Sequence, residues 1–365
     1  EFVKQASQSE SEAYLEISLI LSSTLPNNPD NFQQFLSLVP FFTELLIRGF
    51  SSDQPEVCAA AFDFICHSDL FKEAHFFEQH PEYWEKCIQL INSYMSIGKD
   101  VSRILNLFNY ALDEGIYTGQ PFSLLHQLMT YFAATPSPET PVLLQLHSVI
   151  QNICLHYSQT FDETVLVPLI QLHISLSAKL YTPEDCLAMS EAAFFEEAIS
   201  NLCVTPHSIE ILWQTCASCA EVDEGRFFFL RAIASTFDNA PLFYLHHLSE
   251  INQLLHVSIN SESNLLRNAA ARTADDLILY YVYENDEIAI DLIPIVSNAC
   301  IHNPSSDLLH LYSRLLETTK KTDDYFEVTY PFLLSLLTSV PLPDVQEAAL
   351  QCLGSLAVGS VIKIN

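Results

Sequence analysis

Hydrophobic positions near the end of the chain, in residues 330–357, follow the pattern of two helices joined by a short loop. An apolar run opens with Pro331, and the loop after it carries Pro343 followed by Asp344. Proline and an acid both suit the first turn of a helix, because the first N–H groups are unpaired and the helix end is positive there. The stretch therefore predicts an antiparallel helix pair. The second helix would bury apolar residues spaced by three or four: Val345, Ala348, Ala349, Cys352, Leu353 and Leu356.

The layout of this helix pair recurs along the chain. PEVCAAAFDFI begins at Pro55, PEDCLAMSEAA at Pro183 and PDVQEAALQCL at Pro343. In each segment an acid follows the proline, and alanine stands five residues after it. An apolar run with its own proline precedes each segment by 12 to 15 residues, at Pro40, Pro168 and Pro331. Recurrence with matching flanks indicates structural repeats.

Further runs with helical periodicity fill the chain, and the loops between them are short. These runs are 9–22, 84–97, 101–113, 121–133, 141–157, 209–220, 226–237, 241–257 and 265–284. A helix pair of about 40 residues cannot bury its apolar face alone, so neighbouring pairs must stack. We predict an all-α fold, a right-handed α-solenoid of about eight or nine antiparallel helix pairs. We expect it to form one continuous domain over residues 1–365.

Glycine is scarce, since 7 of the 365 residues are glycine against about 7% in an average protein. Tight hairpins and phosphate-binding loops need glycine where φ is positive or where the backbone approaches a ligand. The shortage favours helices joined by polar turns. It also agrees with the absence of GxxxxGK[ST], GxGxxG, GxSxG and HExxH motifs, so we expect no cofactor and no enzymatic activity.

The chain is strongly acidic, with 45 Asp and Glu against 15 Lys and Arg and a formal charge of −30. Such a field repels phosphate backbones and anionic lipids and attracts basic protein segments. We therefore expect protein partners, and neither nucleic acid nor a membrane. Two interpretations of the acidity stay open: it keeps an apolar-rich surface soluble, or it attracts a basic partner.

Ten cysteines lie mostly inside apolar helical runs, where a thiol packs as a small hydrophobic group. Their spacing does not resemble a small disulfide framework, which favours a reducing compartment, the cytoplasm or the nucleus. No apolar run reaches the length of a membrane span. The chain does not begin with methionine, and we expect it to be a fragment of a longer protein.

Two acidic clusters are the candidate partner-binding residues. The denser cluster comprises Asp275, Asp276, Glu284, Asp286 and Glu287, and the second comprises Glu221, Asp223 and Glu224. Such residues are commonly solvated helix ends and turns, and the alternative is a groove that contacts basic side chains of a partner.

A zinc site is a further alternative at four residues that offer thiolate and imidazole ligands: Cys203, His207, Cys216 and Cys219. Cys216 and Cys219 are three apart within an apolar helical run, where they would share a packed face. We therefore favour core packing and predict no metal site.

The repeats resemble the HEAT superfamily. Val57 and Val345 follow the acid directly, and Ala60 and Ala348 come three residues later, as in the second helix of a HEAT repeat. The turn aspartate is approximated by Asp53 and by Asp344, and the prolines resemble the one that bends the first helix: Pro40, Pro168, Pro294 and Pro331. Cys58 and Gln346 stand where arginine often follows the valine, so an armadillo array and a diverged HEAT array both stay open.

Within this superfamily the acidity, the cysteine-rich helices and the prolines are most similar to karyopherins of the importin-β and exportin kind. That resemblance implies a nuclear transport receptor that binds basic cargo, a Ran-type GTPase or both on an acidic concave surface. The alternative is a scaffold, an assembly chaperone or a regulatory subunit of a large protein complex.

Overall fold

A computed structural model of the protein describes residues 11–23, 38–67, 73–96, 100–134, 139–157, 163–181, 196–197, 199–284, 286–340 and 342–359. Within these ranges the description leaves out the side chains at 67, 73–75, 95–96, 163, 177–178, 180, 279–284, 286–288 and 358–359. The chain divides into two compact units, residues 1–158 and 159–365. The prediction of a single continuous domain stays a prediction.

The first unit contains helices of 7 to 18 residues, named here in chain order. They are α1 (Glu12–Ser23), α2 (Val39–Ser51), α3 (Pro55–His67), α4 (Glu73–Gln79), α5 (Trp84–Ser96), α6 (Ser102–Asp113), α7 (Pro121–Ala134) and α8 (Thr140–Tyr157). A 3-10 turn, Pro81–Tyr83, leads into α5.

Helices of the first unit pack against neighbours and against next-but-one neighbours, as in a two-row repeat. One row runs from α1 to α3, α5 and α7, and α6 packs against α8 in the other. Aromatic side chains fill the space between helices: Trp84 lies 4.8 Å from Phe77 and 5.8 Å from Phe108 between ring centroids. Phe50 joins α2 to α4 through Phe76, at 5.7 Å.

The second unit has the same organisation. Its helices are α9 (Glu163–Leu180), α10 (Pro206–Cys219), α11 (Asp223–Thr236), α12 (Pro241–His246), α13 (Leu248–Ile259), α14 (Asn264–Glu284), α15 (Asp286–His302), α16 (Ser306–Thr319), α17 (Thr322–Ser339) and α18 (Pro343–Gly359). A 3-10 turn, Phe237–Asn239, follows α11.

Four helix pairs are visible in the second unit: α10 with α11, α13 with α14, α15 with α16, and α17 with α18. The second members form a row in which α11 packs against α14, α14 against α16, and α16 against α18. These row helices begin at residues 223, 264, 306 and 343, at intervals of 41, 42 and 37 residues. The first two intervals fit HEAT or armadillo repeats of about 40–47 residues, and the third is slightly shorter.

Local sequence explains where these helices begin. Pro55 and Pro343 are the first residues of α3 and α18, as predicted, and an acid follows each. At α10, the Thr205 hydroxyl oxygen caps the helix by accepting a hydrogen bond from the Ser208 N–H at 3.1 Å. In return, the Thr205 N–H donates to the Ser208 hydroxyl oxygen at 3.0 Å. This capping box pairs N–H groups that the helix leaves free.

The all-α prediction is confirmed, since no strand element occurs in the described ranges. Pro168, Pro294 and Pro331 lie inside α9, α15 and α17, as the resemblance to the bending proline implied, and Pro40 lies in the first turn of α2. Pro331 does not open its helix as the apolar run indicated, because polar residues from Thr322 onward extend α17 toward its N-terminus. The handedness and the total number of pairs stay predictions. The predicted repeat at 183–193 lies outside the described residues.

One predicted helix is wrong, because 241–257 is two helices broken at His247. The backbone of His247 has φ −105° and ψ 17°, and its ring packs 4.6 Å from Trp213. Buried Tyr244, Leu248, Ile251 and Leu255 keep helical spacing across the break, so the hydrophobic pattern does not reveal it.

The described helices are each too short or too polar to cross a membrane.

Candidate partner-binding groove

Three arginines of the second unit occupy the same place in consecutive repeats. Arg231, Arg272 and Arg314 are the ninth residues of α11, α14 and α16. Because these helices lie side by side in one row, equal positions come together. The three arginines line a groove of about 500 Å³, called the central groove below. Four carboxylates line it as well: Glu196, Asp275, Asp276 and Asp307.

Two ion pairs join α14 to α16 across the central groove. The Nε of Arg272 on α14 donates to Asp307 Oδ2 on α16 at 3.0 Å. In the opposite sense, the Nη1 of Arg314 on α16 donates to Asp275 Oδ2 on α14. Each helix therefore contributes one arginine and one aspartate, and both aspartates are paired with a guanidinium.

The third arginine, Arg231, forms its ion pair with a residue outside α14. Arg231 on α11 forms an ion pair with Glu196, which lies in the short helical segment before α10. Burial raises the pKa of Glu196, and the charge of Arg231 counteracts that rise. Between α11 and α14 no ion pair occurs among the described residues. The buried Thr273 hydroxyl on α14 has the Ala269 carbonyl oxygen of its own helix at 2.9 Å and the Leu230 carbonyl oxygen of α11 at 3.3 Å.

Asp276 is the surplus carboxylate of the central groove. Four carboxylates face three guanidiniums, and Asp276 makes no hydrogen bond or ion pair with any residue that the structure describes. Desolvation and the neighbouring Asp275 raise the pKa of Asp276, while Arg314 and Arg231 lower it by less. The side chain stays open to solvent. It is an exposed carboxylate that has no direct ion pair among the described residues.

The structure separates the residues of the two predicted acidic clusters. Asp275 and Asp276 lie in the central groove. Glu284, Asp286 and Glu287 belong to the end of α14 and the start of α15, and their side chains lie outside the described residues.

The second acidic cluster lies at the turn between α10 and α11, about 12 Å along α11 from Arg231. Asp223 is bonded inside the protein: it forms an ion pair with Arg226, and it accepts from the Ser261 hydroxyl at 2.9 Å. Glu221 is exposed and Glu224 is half-buried. The predicted role of all eight acids in partner binding stays a prediction.

Cys203 and Cys216 are buried, and burial raises the pKa of Cys203 to about 12. Cys219 is half-buried and His207 is exposed. Across the described ranges, no group of three or more His, Cys, Asp and Glu side chains is arranged to hold a metal ion.

Sequence reasoning missed the arginine register, although its signal is present. The intervals between Arg231, Arg272 and Arg314 are 41 and 42 residues, the same as those between the helix starts. Arg226 and Arg267 form a second such set, the fourth residues of α11 and α14. Each side chain folds back toward the turn that precedes its helix. Arg226 donates to the Ala220 carbonyl oxygen at 3.3 Å, and Arg267 donates to the Ser261 carbonyl oxygen at 2.5 Å.

Comparison with models of protein families finds no match, and comparison with curated protein sequences finds none either. Solved structures do match. Kap121p bound to RanGTP superposes with a TM-score of 0.61 at 14% identity, and the karyopherin Kap121p bound to the SUMO protease Ulp1p with a TM-score of 0.57 at 13% identity. A Kap121p mutant matches with a TM-score of 0.59 at 13% identity.

In each of these comparisons the match covers 98% of this chain and 37% of the Kap121p chain. The chain therefore spans a little over a third of the length of the karyopherin structures that it matches. At 13 to 14% identity the likeness concerns the fold. This chain has the fold class predicted from its repeats, an α-solenoid of HEAT or armadillo type like that of the karyopherin structures.

Proposed function

We propose that this chain is a binding segment of a karyopherin-like nuclear transport receptor, and that its central groove holds a basic segment of a protein cargo. The observation that carries the proposal is Asp276, a carboxylate without a counterion in a groove whose other carboxylates are paired. An arginine or lysine of a partner would complete the charge balance there. A charge-assisted hydrogen bond of that kind contributes about 1.5–3 kcal/mol.

Two further features support the proposal. The formal charge of −30 produces a long-range attraction for cationic proteins, which raises the rate of encounter. The fold is that of Kap121p, whose solved structures include complexes with RanGTP, Pho4p, Ste12p and Ulp1p. By analogy with these complexes we propose protein cargo and a Ran-type GTPase as partners, and a location in the cytoplasm and the nucleus. The proposed role is binding and involves no catalysis.

The basic-segment proposal is tested with a fluorescent lysine- and arginine-rich peptide and fluorescence anisotropy at low and moderate salt. Asp276→Asn removes the surplus charge with little change in shape. We expect it to weaken binding by roughly 10-fold, the factor that corresponds to about 1.4 kcal/mol. Glu327→Gln, at an exposed position on α17, is the matched control and should change affinity less than about 2-fold. Equal affinities of Asp276→Asn and the wild type would refute this role of the groove.

The transport proposal is tested separately, by capture of partners from nuclear and cytosolic extracts with and without GTP-locked Ran. We expect Ran to bind the chain, or to release or recruit its partners. A salt-resistant complex of fixed composition that ignores Ran would overturn the transport proposal and favour a scaffold or assembly chaperone.

A further inference from the structure

Arg231 lines the central groove together with Glu196 and Asp276, and its guanidinium bonds Glu196. Its partner is Glu196, and the two side chains are largely shielded, with 17% and 27% of their surfaces exposed. Asp276 lines the same groove from α14, the helix packed against α11. The charge of Arg231 reaches Asp276, and the charge of Asp276 reaches Glu196. One guanidinium, that of Arg231, thus shares the groove with two carboxylates, Glu196 and Asp276.

The other charges around Asp276 do not offer it a partner. Asp275 is adjacent in sequence and is neutralised by Arg314, whose Nη1 already bonds it. Asp238, in the 3-10 turn after α11, adds a second negative charge that acts on Asp276. Arg314 acts more strongly on Asp276 than Arg231 does, and it is held by Asp275. Arg231 differs from Arg314 in that its Nε is buried without a hydrogen bond among the described residues.

We propose that Glu196 acts as a positioning residue for the groove: by holding Arg231, it keeps Asp276 free to receive a cationic side chain. Glu196 itself does not contact the partner. The expected effect on peptide binding rests on the proposed function. The exchange of Arg231 between the two carboxylates does not depend on it. The segment before α10 thereby gains a role, since it places an acid at the edge of a groove built by later helices.

The mechanism makes a specific prediction for Glu196→Gln. Without its charged partner, Arg231 turns to Asp276 and forms the ion pair there. The groove then loses its free carboxylate, although Asp276 is still present. A basic peptide should bind Glu196→Gln about as weakly as it binds Asp276→Asn, roughly 10-fold more weakly than the wild type.

Loss of one negative charge would weaken cation binding by itself, and a double-mutant cycle separates the two effects. In an Arg231→Met background no guanidinium competes for Asp276, so Glu196→Gln should change peptide affinity less than about 2-fold. An effect of Glu196→Gln that is equal in both backgrounds would overturn the inference in favour of simple charge loss.

The second readout does not depend on any partner. Carboxyl NMR titration of the free chain gives the pKa of Asp276 directly. In Glu196→Gln we expect that pKa to fall by about one unit or more, because a direct ion pair with arginine lowers a carboxyl pKa by about 1–3 units. A change below about half a unit would show that Arg231 does not shift, and would overturn the inference.

These measurements also distinguish the inference from the proposed function. If the wild type fails to bind the basic peptide while the pKa of Asp276 falls in Glu196→Gln, the proposed function is wrong and the exchange of Arg231 is right. If the wild type binds and the pKa does not move, the binding groove is right and the role of Glu196 is wrong.

Discussion

Gly225 is the position where adding one methyl group should be most costly. It is the third residue of α11, and a Cβ built there would lie 1.7 Å from the carbonyl oxygen of Cys219 and 2.6 Å from its carbonyl carbon. Cys219 is the last residue of α10. Ordinary contacts of a Cβ atom begin at 3.4 Å and distances under 3.0 Å essentially never occur, so the two helix ends would have to separate by over 1 Å. The obstacle is backbone, which cannot rotate out of the way.

The expected magnitude for Gly225→Ala follows from two opposing terms. In an unhindered helix the change stabilises by about 0.5–1 kcal/mol, since alanine loses less conformational entropy than glycine. Forcing atoms into a packed site costs typically about 1–3 kcal/mol and occasionally more. The overlap here is with fixed backbone, so we expect a net loss of about 3 kcal/mol. For a unit of this size that corresponds to a fall in Tm of roughly 6–12 °C.

Gly354→Ala is the matched control, because Gly354 lies within α18 and a Cβ there meets nothing within 4 Å. It should stabilise by about 0.5–1 kcal/mol. Urea and thermal unfolding followed by circular dichroism at 222 nm measure both variants. A Gly225→Ala variant as stable as Gly354→Ala would refute the close approach of α10 and α11.

Three further changes test the packing and electrostatics. Burial lowers the pKa of His147 to about 4, below the ordinary 6.5, so the unfolded chain takes up the proton first and stability falls as pH drops from 6.5 to 4. The free energy of unfolding should fall by about 3 kcal/mol because of this histidine. In His147→Gln, urea unfolding measured across the same pH range should lack that contribution. Leu309→Ala, at a fully buried site on α16, should cost about 2–5 kcal/mol in chemical unfolding, whereas Leu334→Ala, at a side chain 41% exposed, should cost under about 1 kcal/mol. Asp307→Asn should cost under about 1 kcal/mol in the same assay at 0.15 M salt, because its partner Arg272 is 53% exposed and solvent screens the pair.

Helices were predictable from the sequence because their signals are local. Proline and an acid mark the starts of α3 and α18, and apolar spacing of three or four marks the buried face of each. The predicted run 265–284 differs by one residue from α14. Periodicity failed at His247 because the break preserves the spacing of the buried residues on either side.

The groove was less predictable, because its charges are set by contacts between helices. Asp275 and Asp276 are neighbours of identical type in the sequence. Their positions on α14 give one of them Arg314 and leave the other without a partner. Which acid is neutralised depends on the register of α14 against α16, and composition carries no information about register. The equal spacing of Arg231, Arg272 and Arg314 could have revealed the row before the pairs were known.

The two reciprocal ion pairs between α14 and α16 have a mechanical consequence. Both guanidiniums bridge the same pair of parallel row helices, and each bridge spans a different pair of turns. If one helix slides past the other by a single turn, about 5.4 Å, both bridges break together. Bending at this boundary would stretch one ion pair more than the other, so it does not require both to break at once. This boundary should therefore resist sliding more strongly than the boundary between α11 and α14, so a load along the helix axes should displace α11 first.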